Sequence, residues 1–172
     1  MKDDIEEPLT FVENFSLVFQ LALRLKSALK NTNKFFPMSE EKLEELSEED
    51  ITLIDTLIYR FSKLQDLLGE KIFRTIIILD KEKAEAMRDV INKMEKKYII
   101  ESTVTWDAIR KVRNDVVHQY VPKGKKAAET LNNIVFYTPD LLEILVNICK
   151  YAQDEIGIDM SNFDITELKI KE

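Results

Sequence analysis

The residues between positions 113 and 120 include side chains suited to acid–base and phosphate chemistry. His118 is the only histidine in the chain, and an imidazole transfers protons near neutral pH. Arg113 carries a permanent charge on a planar set of donors that matches phosphate oxygens. The two could cleave RNA without a metal: His118 would move the proton of a 2'-hydroxyl or of the 5'-leaving oxygen, and Arg113 would stabilise charge on the phosphorane.

The spacing of these residues decides how they can cooperate on a helix. Asn114 and His118 are four residues apart and share a helix face, so the Asn114 amide can orient the imidazole. Arg113 is five residues from His118, about 140° around the helix, so the two side chains do not stack directly. Pairing across two copies of this helix gives a better geometry. The spacing therefore indicates half of a composite site in a dimer.

Amphipathic helices are the elements expected to position these residues. With 45% hydrophobic and 33% charged residues, three glycines and four prolines, the composition favours long helices over a turn-rich β protein. Apolar residues recur at three- and four-residue intervals, which predicts an all-α, antiparallel bundle of about five or six helices. We expect a single domain over residues 1–172, with a core at about 10–157 and a tail at 158–172 that is either docked or disordered.

Capping residues predict where the helices of the first half begin and end. Residues 10–13, Thr-Phe-Val-Glu, have the form of a capping box, which predicts a first helix from about residue 10 to residue 30. A short acidic helix or turn is predicted at 39–46. Ser47 is the expected N-cap of a long helix in which Gly69 is either the C-cap or a close-packing point, and the helical pattern resumes and reaches residue 79.

Similar signals divide the second half of the chain. Residues 81–98 have the pattern of an exposed amphipathic helix. Thr105 is the expected N-cap of the helix that carries Arg113, which is predicted to stop at Pro122. Residues 123–126 are predicted to be a loop. Pro139 is predicted either to open a helix, with Thr138 as its cap, or to kink one, and the last helix is predicted to end at Gly157.

The distribution of charge limits where nucleic acid can bind. The net charge of −7 argues against a general nucleic-acid-binding protein. Between residues 110 and 126, however, the chain has six basic residues and a single acidic one, Asp115. Such a region permits RNA to dock at one place. The basic residues are Arg110, Lys111, Arg113, Lys123, Lys125 and Lys126.

Other features of the composition exclude several classes of protein. The single cysteine, Cys149, excludes an intrachain disulfide, fits a reducing compartment and has the spacing of a core residue. The acidic N-terminus lacks the apolar segment of a signal peptide, and no window approaches the roughly 18 apolar residues of a membrane span, so a cytoplasmic protein is expected. Asp66 and Glu70 have the spacing of metal-binding carboxylates, but no His or further acid joins them. Neither a metal nor another cofactor is expected.

The segment from Arg113 to Tyr120 resembles the Arg-x4-His-x-Tyr signature of HEPN domains, in particular the HepT-like toxins. The similarity includes Asn114 directly after Arg113, the preceding residues 106–112 and the helical framework from about 10 to 157. It implies a homodimer whose motif helices meet at the two-fold axis and form a cleft where RNA is cut to a 2',3'-cyclic phosphate. It also implies a cognate minimal nucleotidyltransferase as antitoxin, which in some such systems attaches AMP to the motif tyrosine, here Tyr120.

An AMP group on Tyr120 would add bulk and negative charge beside His118 and so block access of phosphate. The acidic total charge and the long 31–50 and 158–172 segments depart from the resemblance and leave the docking of substrate and partner open.

Two other interpretations of the motif remain open. The same bundle can be a non-catalytic HEPN module that binds nucleotide or accompanies a nucleotidyltransferase, or it can be a helical scaffold with an accidental match. Arg113 can simply pair with an acid, and Tyr120 can be a core ring with a hydrated hydroxyl. Four residues interrupt an otherwise apolar helix and are explained equally by hydrogen bonds within the bundle and by support of a site: Arg60, Gln65, Asp66 and Gly69.

Overall fold

The computed structural model describes residues 3–117 and 123–170, and in those ranges the chain forms helices and no strand. A π-helical turn, Leu68–Ile72, joins α3 (Glu48–Leu67) to α4 (Phe73–Leu79) without a break. A second π-helical turn, Ala152–Ile156, extends α7 (Gly124–Tyr151). With α3, the π turn and α4 counted as one helix, the described residues form six continuous helices besides two short 3-10 turns. This confirms the predicted all-α bundle. The helices are α1 (Asp3–Thr32), α2 (Glu40–Glu44), α3 (Glu48–Leu67), α4 (Phe73–Leu79), α5 (Met87–Lys96), α6 (Thr103–Val117) and α7 (Gly124–Tyr151).

Helices α1 and α3 form an antiparallel pair. Lys34, just after α1, lies 3.4 Å from Asp50 near the start of α3, and Arg60 donates a hydrogen bond to the carbonyl of Arg24 at 2.7 Å. The two helices therefore run in opposite directions. The pair buries a shared apolar face, and each buried Phe or Leu side chain contributes about 1.5–3 kcal/mol. Fully buried residues of this face include Phe11, Phe15, Leu25, Leu57, Phe61 and Leu64.

Helix α6 packs antiparallel against the C-terminal part of α3 and the π turn. Arg113 near the end of α6 contacts Asp66 of α3, while Trp106 near its start lies against Gly69 in the π turn. On the other side α6 packs against α7, whose apolar face is buried along most of its length. These contacts hold the helix that carries Arg113 between two long helices. The buried residues of α7 include Leu131, Ile134, Leu141, Leu145 and Ile148.

Two predicted helix boundaries in the first part of the chain were wrong. Helix α1 begins at Asp3, so Thr10 lies inside it and is not its cap. The acidic residues before Thr10 suit the positive end of the helix dipole, which allows the helix to start early. The helix predicted at 81–98 is confined to Met87–Lys96. Lys81 has a left-handed backbone (φ 57°), and ion pairs from Lys93 and Lys97 to Glu82 hold the preceding segment against α5.

Three predictions in the second part of the chain were also corrected. Ser102 rather than Thr105 caps α6: its hydroxyl accepts a hydrogen bond from the Thr105 N–H at 3.0 Å. Residues 124–126, predicted as loop, are the first residues of α7, because the burial of Ala127 and Ala128 favours extending that helix toward its N-terminus. Helix α7 also continues through Pro139, so Pro139 does not open a helix.

Several other predictions are confirmed. Ser47 caps α3, accepting a hydrogen bond from the Asp50 N–H at 3.2 Å. Cys149 is buried, and burial raises the pKa of its thiol, as expected for a core residue. Gly157 adopts the left-handed conformation (φ 80°) where the last helix ends. Within the described residues, no helix is both long and apolar enough to cross a membrane.

Of the two alternatives for the C-terminal tail, the structure has the docked one. The ring of Phe163 lies edge-on to Phe15 of α1, with centroids 4.9 Å apart. Lys26 donates hydrogen bonds to the carbonyls of Glu167 and Lys169 at 2.5 and 2.7 Å. Tail residues 158–170 are thus attached to α1 by both an aromatic contact and charge-assisted hydrogen bonds.

Candidate functional site

The burial of one face of α6 determines where Arg113 points. Trp106, Ile109 and Val116 are buried on the inner face of the helix, whereas Asn114 is exposed on its outer face. Arg113 lies at the boundary, with 28% of its side chain exposed. The amphipathic pattern of α6 therefore brings a guanidinium to the edge of the bundle, where a ligand from solvent can reach it.

The guanidinium of Arg113 is oriented by two oxygen acceptors. Its Nη2 donates to Oδ2 of Asp66 at 2.8 Å, and its Nη1 donates to Oδ1 of Asn114 at 3.2 Å. The Nε–H is buried and has no hydrogen-bond partner among the described residues. The prediction that Arg113 can pair with an acid is thus confirmed, but the pair leaves one buried donor of the guanidinium unused.

A polar pocket of about 180 Å³ lies beside Arg113, between α3, the π turn and α6. The residues around it combine hydrogen-bond donors, carboxylates and one aromatic ring, so the pocket can contact a ligand that both donates and accepts hydrogen bonds. We call it the α3–α6 pocket. It is lined by Gln65, Asp66, Gly69, Glu70, Met87, Trp106, Arg110, Arg113 and Asn114.

The close packing of Gly69 and Trp106 shapes this pocket. A Cβ atom on Gly69 would lie 3.2 Å from Cζ2 of the Trp106 indole, so any larger residue would push on the ring. The close-packing alternative predicted for Gly69 is therefore confirmed. Gly69 belongs to the π turn, and π turns inside α-helices occur frequently at functional sites because they displace side chains from the regular helical positions.

The predicted RNA-binding residues lie on the surface, but acids accompany several of them. Arg110 is exposed at the α3–α6 pocket. Lys111 pairs with Asp115 at 2.8 Å and Lys125 with Glu129 at 3.9 Å, and Lys123 and Lys126 are exposed. Because Asp66 and Glu70 also border the pocket, the local positive charge is smaller than the sequence between 110 and 126 indicates.

His118 and Tyr120 lie outside the described residues, so their positions relative to Arg113 stay predictions. The same is true of the expected hydrogen bond between Asn114 and His118. The structure shows that Asn114 contacts Arg113, and the spacing analysis did not anticipate this contact. Neighbouring residues on a helix diverge by about 100°, and this contact relies on the length of the arginine side chain.

Sequence reasoning did not connect Asp66 and Gln65 with Arg113, because 47 positions separate Asp66 from Arg113. The available signal was the interruption of the apolar stripe of α3 by Gln65, Asp66 and Gly69. The carboxylate of Asp66 accepts a hydrogen bond from Arg113, so this contact is both a hydrogen bond between two helices of the bundle and a contact with a candidate site residue. Trp106, a buried residue of α6, also borders the pocket.

The described residues contain no group of three His, Cys, Asp or Glu side chains placed to hold a metal ion. Comparison of the chain with models of protein families, with curated proteins and with solved structures gave no match. The function must therefore be argued from the residues of the candidate site.

Proposed function

We propose that the protein is a metal-independent endoribonuclease of the HEPN type, resembling the HepT-like toxins. In this proposal, Arg113 and His118 act on the scissile phosphate of RNA, and two copies of α6 complete the cleft at the two-fold axis of a homodimer. A cognate minimal nucleotidyltransferase neutralises the enzyme in the cytoplasm. Asn114 and Tyr120 support the site, and Tyr120 is the residue that would receive AMP.

The observation that carries the proposal is the environment of Arg113. Asp66 orients the guanidinium at the edge of the bundle, and the Nε–H of Arg113 has no partner in the part of the chain that the structure describes. Both features suit a catalytic arginine, because donors fixed before the reaction stabilise developing charge without a cost in reorganisation.

The proposed chemistry divides between two side chains. His118 takes the proton of the 2'-hydroxyl, whose oxygen attacks the adjacent phosphorus, and a second protonated imidazole returns a proton to the 5'-oxygen as the P–O bond breaks. Arg113 stabilises the charge that accumulates on the phosphorane oxygens. The products are a 2',3'-cyclic phosphate and a 5'-hydroxyl, and the overall step consumes no water and requires no metal.

The decisive experiment is cleavage of RNA by the purified protein in the presence of EDTA, with detection of 2',3'-cyclic phosphate ends. We expect His118→Ala and Arg113→Ala to abolish cleavage while folding and dimerisation persist. Arg88→Ala is the matched control, because Arg88 also pairs with an aspartate, Asp107 at 2.7 Å, but lies outside the α3–α6 pocket. Cleavage by a cleanly purified His118→Ala protein, or equal activity of Arg113→Ala and Arg88→Ala, would contradict the mechanism.

One observation favours the alternative of a non-catalytic module that binds nucleotide or accompanies a nucleotidyltransferase. Asp66 and Glu70 border the same pocket as Arg113, and their charge opposes the binding of a phosphodiester there. The two functions are separated by the chemical ends of the RNA. If the protein binds RNA or nucleotide but produces no 2',3'-cyclic phosphate ends, it is the non-catalytic binding module.

A further inference from the structure

We propose that the α3–α6 pocket holds one RNA base next to Arg113, and that it selects bases with an exocyclic amino group over uracil. The inference rests on the proposed ribonuclease function and adds a specificity-determining subsite to it. Gln65, Gly69 and Trp106 are the residues expected to form the subsite, with Asp66 and Glu70 as acceptors.

The size of the pocket fits a single ring system. Its volume is about 180 Å³, and an apolar cavity of roughly 150 Å³ is known to hold benzene. Pockets for whole drug-sized ligands measure roughly 300–1,000 Å³, so a complete nucleotide would not fit inside. Gly69 allows the indole of Trp106 to pack closely at the edge of this space, because a Cβ there would lie 3.2 Å from the ring.

Gln65 supplies a hydrogen-bonding edge inside the pocket. The residue is only 6% exposed and lines the pocket, with its Nε2 atom 3.9 Å from the position that a Cβ of Gly69 would occupy. Its side-chain amide makes no hydrogen bond with the other described residues. The edge of a base can contact the donor and the acceptor of this amide together, as glutamine does with adenine.

The carboxylates at the pocket determine which ligand suits it. Asp66 and Glu70 repel a phosphate but accept hydrogen bonds from an amino group, as acidic side chains do from the N4 amino group of cytosine. Uracil carries a carbonyl where cytosine has that amino group, so its oxygen would face a carboxylate oxygen. The pocket chemistry therefore favours adenine, cytosine or guanine.

The shared lining places the base close to the scissile bond. Arg113 borders the pocket, and its Nε–H is without a partner in residues 3–117 and 123–170. A base held there fixes the adjacent sugar and phosphate near the guanidinium. Binding of the base then contributes to orientation as well as to selection.

The test uses nucleosides as probes and the indole N–H of Trp106 as reporter, since the chain has one tryptophan and hence one such resonance. Cytidine, adenosine, uridine and inorganic phosphate are titrated into 15N-labelled protein. We expect cytidine and adenosine to shift the resonance with affinities roughly two- to tenfold higher than uridine, the range for one net hydrogen bond. Gln65→Leu should remove this difference, and Gly69→Ala should weaken binding of all nucleosides.

Ser62→Ala is the matched control. Ser62 lies one turn before Gln65 on α3, is 9% exposed and has a hydroxyl with no partner among the described residues, but it does not line the pocket. The variant should behave like the wild type. Thermal unfolding of each variant identifies any that fails to fold, and Gly69→Ala provides a second test if Gln65→Leu does.

Cleavage mapping on RNAs that differ at one nucleotide separates this proposal from the ribonuclease proposal. If the wild type cuts no RNA but cytidine and adenosine shift Trp106 selectively, the subsite stands and the ribonuclease function fails. If RNA is cut but no nucleoside shifts Trp106, the subsite is wrong. Equal responses to uridine and cytidine, or a response to phosphate alone, would also overturn it.

Discussion

In the proposed ribonuclease, replacing Asp66 by alanine should lower the catalytic rate more than it changes substrate binding. The carboxylate holds Nη2 of Arg113 at 2.8 Å, and without it the guanidinium can adopt other rotamers. Because a small misplacement of a catalytic group can reduce the rate by about a hundredfold, we expect kcat to fall by roughly ten- to a hundredfold. KM should stay constant or fall, because the same substitution removes a negative charge that repels phosphate.

The contribution of the pair to stability can be estimated from its exposure. The side chains of Asp66 and Arg113 are 27% and 28% exposed. Fully exposed ion pairs contribute about 0.2–1 kcal/mol, and hydrogen bonds to charged groups about 1.5–3 kcal/mol. A pair at this intermediate exposure should contribute about 1 kcal/mol. For a chain of this size, that corresponds to a fall of roughly 2–4 °C in Tm.

The assay combines a double-mutant cycle with cleavage kinetics. Urea unfolding of Asp66→Ala, Arg113→Ala and the double variant gives the coupling energy, and kcat and KM are measured for Asp66→Ala and Asp66→Asn. The asparagine variant keeps an oxygen acceptor and should retain more activity than the alanine variant. A coupling energy near zero, together with an unchanged kcat in Asp66→Ala, would refute the idea that Asp66 orients Arg113.

Three further predictions concern the fold. Hydrogen bonds from Lys93 and Lys97 lower the pKa of Glu82 from 4.5 to about 2. The stability that the ionised Glu82 contributes is therefore present above pH 4.5 and lost as the pH falls toward 2. Urea unfolding should show Glu82→Gln less stable than the wild type at pH 7, and the difference in stability should disappear between pH 4.5 and pH 2. Phe163→Ala should lower the free energy of unfolding by about 2 kcal/mol, less than the 3–5 kcal/mol lost when a fully buried Phe is replaced. The variant should also make the tail sensitive to limited proteolysis, and unchanged digestion would contradict the docking contact. Ser102→Ala should lower the free energy of unfolding by about 1 kcal/mol, because it removes the cap of α6. Thermal unfolding identical to that of the wild type would show that Ser102 is not a cap.

Strong local signals made much of the fold predictable. The apolar stripe of α3 and the cap at Ser47 were correct because capping geometry and helical periodicity depend on neighbours within a few positions. The start of α1 at Asp3 and the start of α7 at Gly124 were missed. At both places, polar sequence resembles loop, and the helix is extended by packing and charge effects that exceed the weak local preference.

Only part of the candidate site was visible in the sequence. Arg113, Asn114, His118 and Tyr120 were identified by their chemistry and spacing, because they occur within eight consecutive positions. The pocket beside Arg113 could not be predicted, because it forms where two helices distant in the chain approach each other. Its residues looked like minor interruptions of apolar stripes until their partners were known.

The sequence by itself determined the helical character of the chain, the inward face of α6 and the position of Arg113 at the edge of that face. These properties follow from the 3.6-residue repeat and from the local exclusion of apolar side chains from water. Only the tertiary structure decided that Asp66 orients Arg113 and that Gly69 packs closely against Trp106 beside a pocket. Such contacts depend on how two helices cross, and the crossing is set by the packing of the whole bundle.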